Sequence, residues 1–491
     1  MSRGLLEKID WQDPNWQKIK KEILDLNNRI EQSKEIESLL LGLDSKYIPS
    51  GPSGLITRGR GDVLPTGRNF YSLDPSRVPT KAACEIGKML AEKLIDKHLK
   101  EESRYPENIA ITWMANDIMW ADGEGMAQIM YLIGVKPVWF SNGRVKGFEV
   151  IPLDKLNRPR IDVTIRVSGI IRDNFPKCIE LIDEAIQKVA CLNEPLEMNF
   201  IKKHTKEIVQ TGKDIRSGTL RIYCSMPGTY MAGTQLAVYA SAWQEEKDLA
   251  EVFLYWNGYA YGKGIWGEAR HKEFSEILKS VDITYNKVVT DEYDLFGCCC
   301  YFGTHGGITI AARYLSQKDV KVYYGDTRDP QNIQVRDLAD EIRRVVRTKL
   351  LNPKWIEGMK RHGYKGAGDI SKRIGRVYGW EATTEEVDDW IFDDIAKIFL
   401  MDEKNKEFFK ENNPWALEEI TRRLLEAWER GLWNPDEDIK QRLKKIYLEV
   451  EGWLEEGIGD IKGDFQGNSI DVVTSEEVED WKRKMEELIN L

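Results

Sequence analysis

A histidine set among glycines can transfer protons near neutral pH or ligate a divalent metal, and His305 stands in such a run, FGTHGG (302–307). Two readings fit it: an imidazole presented on a loop, or a residue of a structural turn. Glu124, in ADGEGMAQ at an expected helix start, offers a carboxylate for proton removal or for complementing the helix dipole. Asp162 and Arg166 lie within an alternating run, IDVTIRV, and Arg172 and Asp173 follow it directly. Residues 47–80, rich in Pro and Gly, also carry Arg58, Arg60, Arg68, Asn69, Phe70 and Tyr71, so they read as an ordered loop lying against something rather than as a linker. Between Tyr255 and Trp266, aromatic residues including Tyr259 alternate with glycines, which suits packing between close strands or a flat apolar wall. Taken together, an aromatic wall, loop arginines and an exposed histidine fit a large, flat polyanion such as a carboxylated tetrapyrrole, whose carboxylates match guanidinium forks.

Other candidates read more plainly. Cys298, Cys299 and Cys300 are expected in a buried strand, where only two thiols share a face, rather than in a zinc site. His98, His204 and His271 are expected at the surface, and His362 as a helix C-cap. No GxxxxGK[ST], HExxH or GxSxG run occurs in the sequence, and GRGD (59–62) lacks the strand-then-helix setting of a dinucleotide fingerprint.

The elements that must position these groups follow from periodicity. Residues 1–45 and 81–102 are expected to be helical. Strands are expected at 108–113, 135–140, 148–153, 161–167, 219–224 and 320–324, with helices at 125–134, 176–191 and 335–351. Strands alternating with helices predict an α/β fold, with parallel-type sheets flanked by helices in βαβ units, a helical N-terminal segment and a helical C-terminal region. The expected organisation is residues 1–80 as an N-terminal helix and ordered loop, 81–215 and 216–352 as two α/β domains, and 353–491 as a helical region. Ligands of such sheets sit beyond the carboxyl ends of strands.

Composition bounds the partners. Of 491 residues, 71 are Lys or Arg and 81 are Asp or Glu, a formal charge of −10. That balance argues against a general grip on nucleic acid or anionic membrane. The absence of an apolar run near the length of a bilayer span, or of a signal-type N-terminus, leads to the expectation of a cytoplasmic protein. The 16 Trp and 19 Tyr exceed what core packing alone requires.

The runs LPTGRNFYSLDP (64–75), YLIGVKPVW (131–139), IPLDKLNRPRIDVTIRVSGIIRDNFP (151–176), FGTHGG (302–307), YYGDTRDP (323–330), RTKLLNPKWIEGMKRHGYKGAGDI (347–370) and GWEATTEEVDDWIFDD (379–394) resemble the CobN/magnesium chelatase H-subunit family. TGRNFYSLDP and the HGG segment are closer to the cobaltochelatase large subunit, whereas LLNPKW and RPRIDV are where the magnesium enzymes resemble the chain best. The resemblance covers the C-terminal part of family chains, less than half. A second His/Gly-rich element with an acidic residue, expected upstream, is absent from this sequence.

The resemblance implies a tetrapyrrole-binding subunit of an ATP-dependent chelatase. Its metal is expected to be Co2+, with Mg2+ or Ni2+ as alternatives, and its macrocycle of the hydrogenobyrinic acid diamide type on the route to cobalamin. It also implies AAA+ motor and adaptor subunits that use ATP in place of this chain, and a separate N-terminal half. A non-catalytic tetrapyrrole scaffold for AAA+ subunits is a further alternative. Under this reading His305 is the metal-proximal or proton-transfer residue, and Glu124, ahead of Asp162, is the carboxylate base. Arg68, Asn69, Tyr71, Arg166, Arg172, Asp173, Tyr259 and Trp266 contact the macrocycle.

Overall fold

The computed structural model describes residues 13–71, 73–457, 479–480 and 483–484. Twelve strands form among them: β1 (Ser50–Pro52), β2 (Asn69–Tyr71), β3 (Asn108–Trp113), β4 (Val135–Trp139), β5 (Val145–Val150), β6 (Asp162–Val167), β7 (Ile222–Cys224), β8 (Tyr259–Gly262), β9 (Ile265–Ala269), β10 (Ile283–Val288), β11 (Lys321–Asp326) and β12 (Gln334–Asp337). Eight of them make one sheet in the order β12-β11-β10-β3-β6-β7-β8-β9. From β11 to β7 neighbouring strands are parallel, and β12, β8 and β9 close the edges antiparallel. The expected α/β class with helix-flanked parallel strands is thus present. Strands of the expected 81–215 and 216–352 segments interleave in this single sheet, because β10 inserts beside β3 rather than beginning a sheet of its own.

Central strands buried on both faces need continuous apolar runs, and β3 (NIAITW), β6 (DVTIRV) and β10 (ITYNKV) are buried at every position. Helices Lys81–Glu102, Glu124–Leu132 and Pro176–Ala190 enclose one apolar core with Ile109, Ile111, Val163 and Ile165. Helices Glu246–Asn257, Gly307–Ser316 and Gly363–Thr384 enclose the other, which continues into the C-terminal helices up to Glu437–Gly457. The polar tail beyond residue 457 lies, apart from four residues, outside the described chain, as do residues 1–12 of the expected N-terminal helix.

The strand order places the binding crevice. From β3 the chain runs to β6 on one side, and β10 later adds on the other side. Loops at the carboxyl ends of β3 and β10 therefore leave the sheet in opposite directions and part, which is the switch point where ligands of open α/β sheets bind.

Several sequence expectations change for physical reasons. The three cysteines are not in a strand: Cys298 is extended, and Cys299–Tyr301 form a helical turn that leads into a π-helical turn, Phe302–Gly306. Tyr255 and Trp256 end a helix while Tyr259 and Tyr261 belong to β8 and Trp266 to β9, so the aromatic series divides among three elements and builds no single wall. His98, His204 and His271 are buried, not superficial. In an amphipathic helix a histidine beside charges can still fall on the packed stripe. The expected helix 335–351 opens instead with β12, followed by helix Leu338–Val345 and a π turn, Val346–Leu350.

No helix among the described residues is long and apolar enough to cross a membrane.

Candidate functional site

Two buried carboxylates and two cations meet at the switch point. Trp113 ends β3, the short helix Ala115–Ala121 follows, and Asp122 and Gly123, both left-handed, turn the chain into helix Glu124–Leu132. Gly123 has no room for a side chain, since a Cβ there would lie 2.6 Å from Val78. Asp117 holds this turn: its carboxylate accepts from Gly125 N at 2.6 Å, Met126 N at 3.1 Å and Trp113 Nε1 at 2.9 Å. It thereby satisfies amide donors that a helix start leaves open.

Lys287, near the end of β10, bridges Asp117 Oδ1 at 2.8 Å and Glu124 Oε2 at 2.9 Å. Thr327 Oγ1 donates to the same Glu124 oxygen at 2.8 Å, and Arg58 Nη2 lies 2.5 Å from Glu124 Oε1. Arg58 also donates to the carbonyls of Val289 and Thr327, so the Pro/Gly/Arg loop is pinned across the carboxyl ends of β10 and β11. Burial opposes the charge on Lys287, but Asp117 and Glu124 outweigh it and hold the ammonium above its ordinary range. Two carboxylates against two cations leave the cluster neutral, the condition for keeping charges out of water.

Beside this cluster a small crevice is lined by Thr112, Asn116, Asp117, Gln128, Asn286 and Lys287, among others. Thr112 Oγ1, Gln128 Nε2, Tyr285 Oη and Asn286 Nδ2 are buried there without a partner of hydrogen-bond geometry. Unsatisfied polar atoms are costly in an interior; Tyr285 and Gln128 lie close enough to act on each other, and the space left among these groups, about 10 Å³, admits about one water-sized atom. Gly325 makes room for the Tyr285 hydroxyl, which would lie 1.9 Å from a Cβ at that position. Gly325→Ala is expected to cost about 1–3 kcal/mol, the range for overpacking a filled interior, read as a lowered urea midpoint at unchanged slope.

His305 lies behind this crevice, not on an exposed loop. It sits in the π turn, fully buried, its ring stacked on Tyr324 (centroids 6.0 Å apart) and edge-on to Trp380 (5.8 Å). Its glycines serve close packing: a Cβ at Gly306 would meet Thr383 at 2.0 Å, and one at Gly307 would meet Phe253 at 2.4 Å. Burial pushes the imidazole down to about 3, against a weaker opposing effect of the Thr284 backbone, so it is neutral at physiological pH.

Asp162 lies at the other end of the sheet. As the first residue of β6 it is fully buried, accepts from Arg221 Nε at 2.9 and 3.0 Å, and lies 2.8 Å from His204 Nδ1. His204 continues to Glu107 at 3.3 Å. Burial resists ionisation of Asp162, yet Arg221 and His204 prevail and hold its carboxyl below the usual range. This chain of charges ties β6, β7 and helix Phe200–Gln210 together; it does not adjoin Glu124.

The remaining expected contact residues divide. Arg166 donates to Asn257 Oδ1 at 3.1 Å and is buried. Arg172 donates to the carbonyls of Ser225, Met226 and Thr229 and to Asp173, holding the PGTYM turn, and its guanidinium lies over the rings of Tyr230 in that turn and of Tyr261 in β8. Both arginines are committed to backbone and neighbouring side chains. Arg68 folds back onto the carbonyls of Asp62 and Val63, whereas Asn69 and Tyr71 on β2 are exposed. Tyr259 packs edge-on to His271, and Trp266 is 49% exposed on the edge strand β9, edge-on to Tyr261.

Asp117, Lys287 and Thr327 carry the centre, and sequence reasoning did not select them. The available signal was Lys287 itself, a cation inside an otherwise apolar or neutral strand.

The family model described as CobN/Magnesium Chelatase matches residues 5–440. An uncharacterized protein of Methanocaldococcus jannaschii is 64% identical over 95% of this chain and 38% of its own length. The H-subunit of the magnesium chelatase of Chlorobaculum parvum is 38% identical over 87% of this chain and 34% of its own. Among solved structures, the catalytic subunit of cobaltochelatase from Mycobacterium tuberculosis superposes with a TM-score of 0.83 at 37% identity, covering 85% of this chain and 36% of that one. The chain therefore spans little more than a third of these relatives.

Proposed function

Since the chain belongs to the CobN/Magnesium Chelatase family, we propose that it is the C-terminal, tetrapyrrole-binding part of a metal chelatase large subunit that inserts Co2+ into a corrin-pathway macrocycle. The observation that carries this reading is the neutral cluster of Asp117, Glu124, Lys287 and Arg58 beside four unsatisfied polar atoms at the switch point. Insertion of a divalent metal displaces inner N–H protons of the macrocycle, one from a corrin and two from a porphyrin, so it needs a proton acceptor and a shielded, polar setting. Glu124 is the acceptor. Its oxygens are engaged by Lys287 and Arg58, and it becomes available when Arg58 lifts with its loop.

Asp117 keeps Lys287 in place while Glu124 changes partners. His305, enclosed and neutral, fixes the helix behind the crevice and accepts a proton only if that helix turn opens. Macrocycle carboxylates meet the exposed face of the 47–80 loop, where Asn69 and Tyr71 stand beside Arg60 and Arg68. AAA+ partners hydrolyse ATP and drive the loop movement, in keeping with a sequence that holds no GxxxxGK[ST] run. Insertion also calls on the N-terminal part of the large subunit, since the matched region is little more than a third of the relatives' length.

Quenching of tetrapyrrole fluorescence by the full chain tests the binding half of this reading. Saturable quenching that weakens when Arg58, Arg60 and Arg68 are replaced together by Ala is expected; quenching indifferent to that triple change overturns it. Insertion assays with Co2+, Ni2+ and Mg2+, supplied with motor subunits and the N-terminal part, test the chemistry, with Co2+ expected to react fastest.

A further inference from the structure

The three thiols expected to alternate along a strand instead converge. Cys298 has extended backbone (φ −145°, ψ 142°) and the helical turn begins at Cys299. That change of conformation between consecutive residues swings the side chains to one side, and the three Sγ atoms lie within 4.8 Å of one another. All three are free thiols of intermediate burial, shielded yet reachable by an ion. Cys300 N–H donates to Cys298 Sγ at 3.3 Å, which fixes the arrangement.

We propose that Cys298, Cys299 and Cys300 form a three-thiolate site for a borderline divalent cation, Co2+, from which the metal substrate is handed to the switch-point crevice. The purpose assigned to the site rests on the chelatase reading above; the site itself does not. Metal–sulfur bonds of about 2.3 Å require sulfur atoms roughly 3.8–4.0 Å apart in tetrahedral or trigonal geometry, so the cluster closes on an ion with sub-ångström to ångström movements. Three ligands leave a fourth position open, the mark of a site whose metal exchanges rather than one that serves as a closed structural staple.

Charge and position agree with this use. Binding converts three R–SH groups and M2+ into a tris-thiolate complex of charge −1 and three released protons. The Arg376 guanidinium lies within electrostatic reach of Cys298 and Cys299, and its Nε is buried without a partner, so a cation is in place for that residual charge. Tyr301, the next residue, accepts at its hydroxyl from Asn116, which lines the crevice beside Asp117. Thiolates select Co2+, Ni2+ and Zn2+ and bind Mg2+ poorly, so the cluster would also distinguish this chain's metal from that of a magnesium enzyme.

The test is anaerobic titration of the reduced full chain with CoCl2, following sulfur-to-cobalt charge-transfer absorption. One equivalent is expected to bind, to be displaced by Zn2+ and to ignore excess Mg2+. Cys298→Ser and Cys300→Ser should each weaken binding by more than about tenfold. The triple Ser variant should lose the band while Cys84, Cys178, Cys191 and Cys224 remain. Absence of the band, its persistence in the triple variant, or air oxidation to a disulfide with no Co2+ binding overturns the proposal. Tetrapyrrole quenching on the same samples separates the two readings: a cobalt band without quenching keeps the metal site and removes the chelatase reading, and quenching without the band does the reverse.

Discussion

Glu124→Gln is expected to lower metal insertion by about 10²–10⁴-fold, the range carried by a positioned general base, while tetrapyrrole quenching by the chain persists. The reason is geometric. Glu124 is the carboxylate at the switch point whose two oxygens are divided between cations from different elements, Arg58 from the loop and Lys287 from β10. The amide keeps the shape and a hydrogen bond from Thr327, but it accepts no proton from a macrocycle nitrogen. Glu124→Ala goes further: Lys287 and Arg58 stay buried with one carboxylate between them, and removing one partner of a buried charge cluster costs about 3–5 kcal/mol. Urea unfolding of both variants measures the structural cost: both lose the charge that faces Lys287 and Arg58, but only the amide keeps the hydrogen bond from Thr327, so the alanine change should move the midpoint further. Insertion by Glu124→Gln at the wild-type rate would sink the assignment.

Asp162→Asn should destabilise the chain by a similar amount, about 3–5 kcal/mol at neutral pH, and leave tetrapyrrole binding intact. The buried Arg221 loses its counter-charge, and His204 loses the partner at its Nδ1. The pH dependence has a definite sign. Asp162 has its carboxyl held below the usual range, so its stabilisation is complete above about pH 4 and fades as the pH falls through the lowered value. For His204, burial favours the neutral ring but bonds to Asp162 and Glu107 prevail and raise its affinity for a proton. Its share is complete below about pH 6.5 and fades as the pH rises through the raised value. The difference between wild type and variant, from urea unfolding at a series of pH values, should therefore be largest between those limits. A difference that stays constant into strong acid would refute the ion-pair account.

These two carboxylates look alike in sequence, each beside helix or strand residues of ordinary type, yet the fold places them at opposite ends of one sheet. Periodicity alone fixed the class: runs rich in apolar residues such as NIAITW and DVTIRV form central parallel strands because both of their faces must be covered, the charges of Asp162 and Arg166 being met by partners inside the fold. The motif runs by themselves carried the family, and the ordered character of the 47–80 loop was legible because its arginines and aromatics are too many for a linker. What the linear order did not contain is adjacency. Strand β10 adds beside β3 from far along the chain, with Ile283 opposite Ile109 and Tyr285 opposite Ile111. That insertion alone brings Lys287 to Asp117 and Glu124 and makes the crevice.

Burial was likewise undecidable from residue type. Glycines around His305 read as freedom to expose an imidazole, whereas the packed chain uses them to admit Thr383 and Phe253, which closes the ring away from solvent. Arg166 and Arg172 read as free forks, and the fold spends their donors on backbone carbonyls and neighbouring side chains. The cysteine run shows the same division most plainly. Sequence determined that three thiols are consecutive; only the change from extended to helical backbone at Cys298–Cys299 decided that they face one another, because side-chain direction follows the local dihedral angles and not the order of residues.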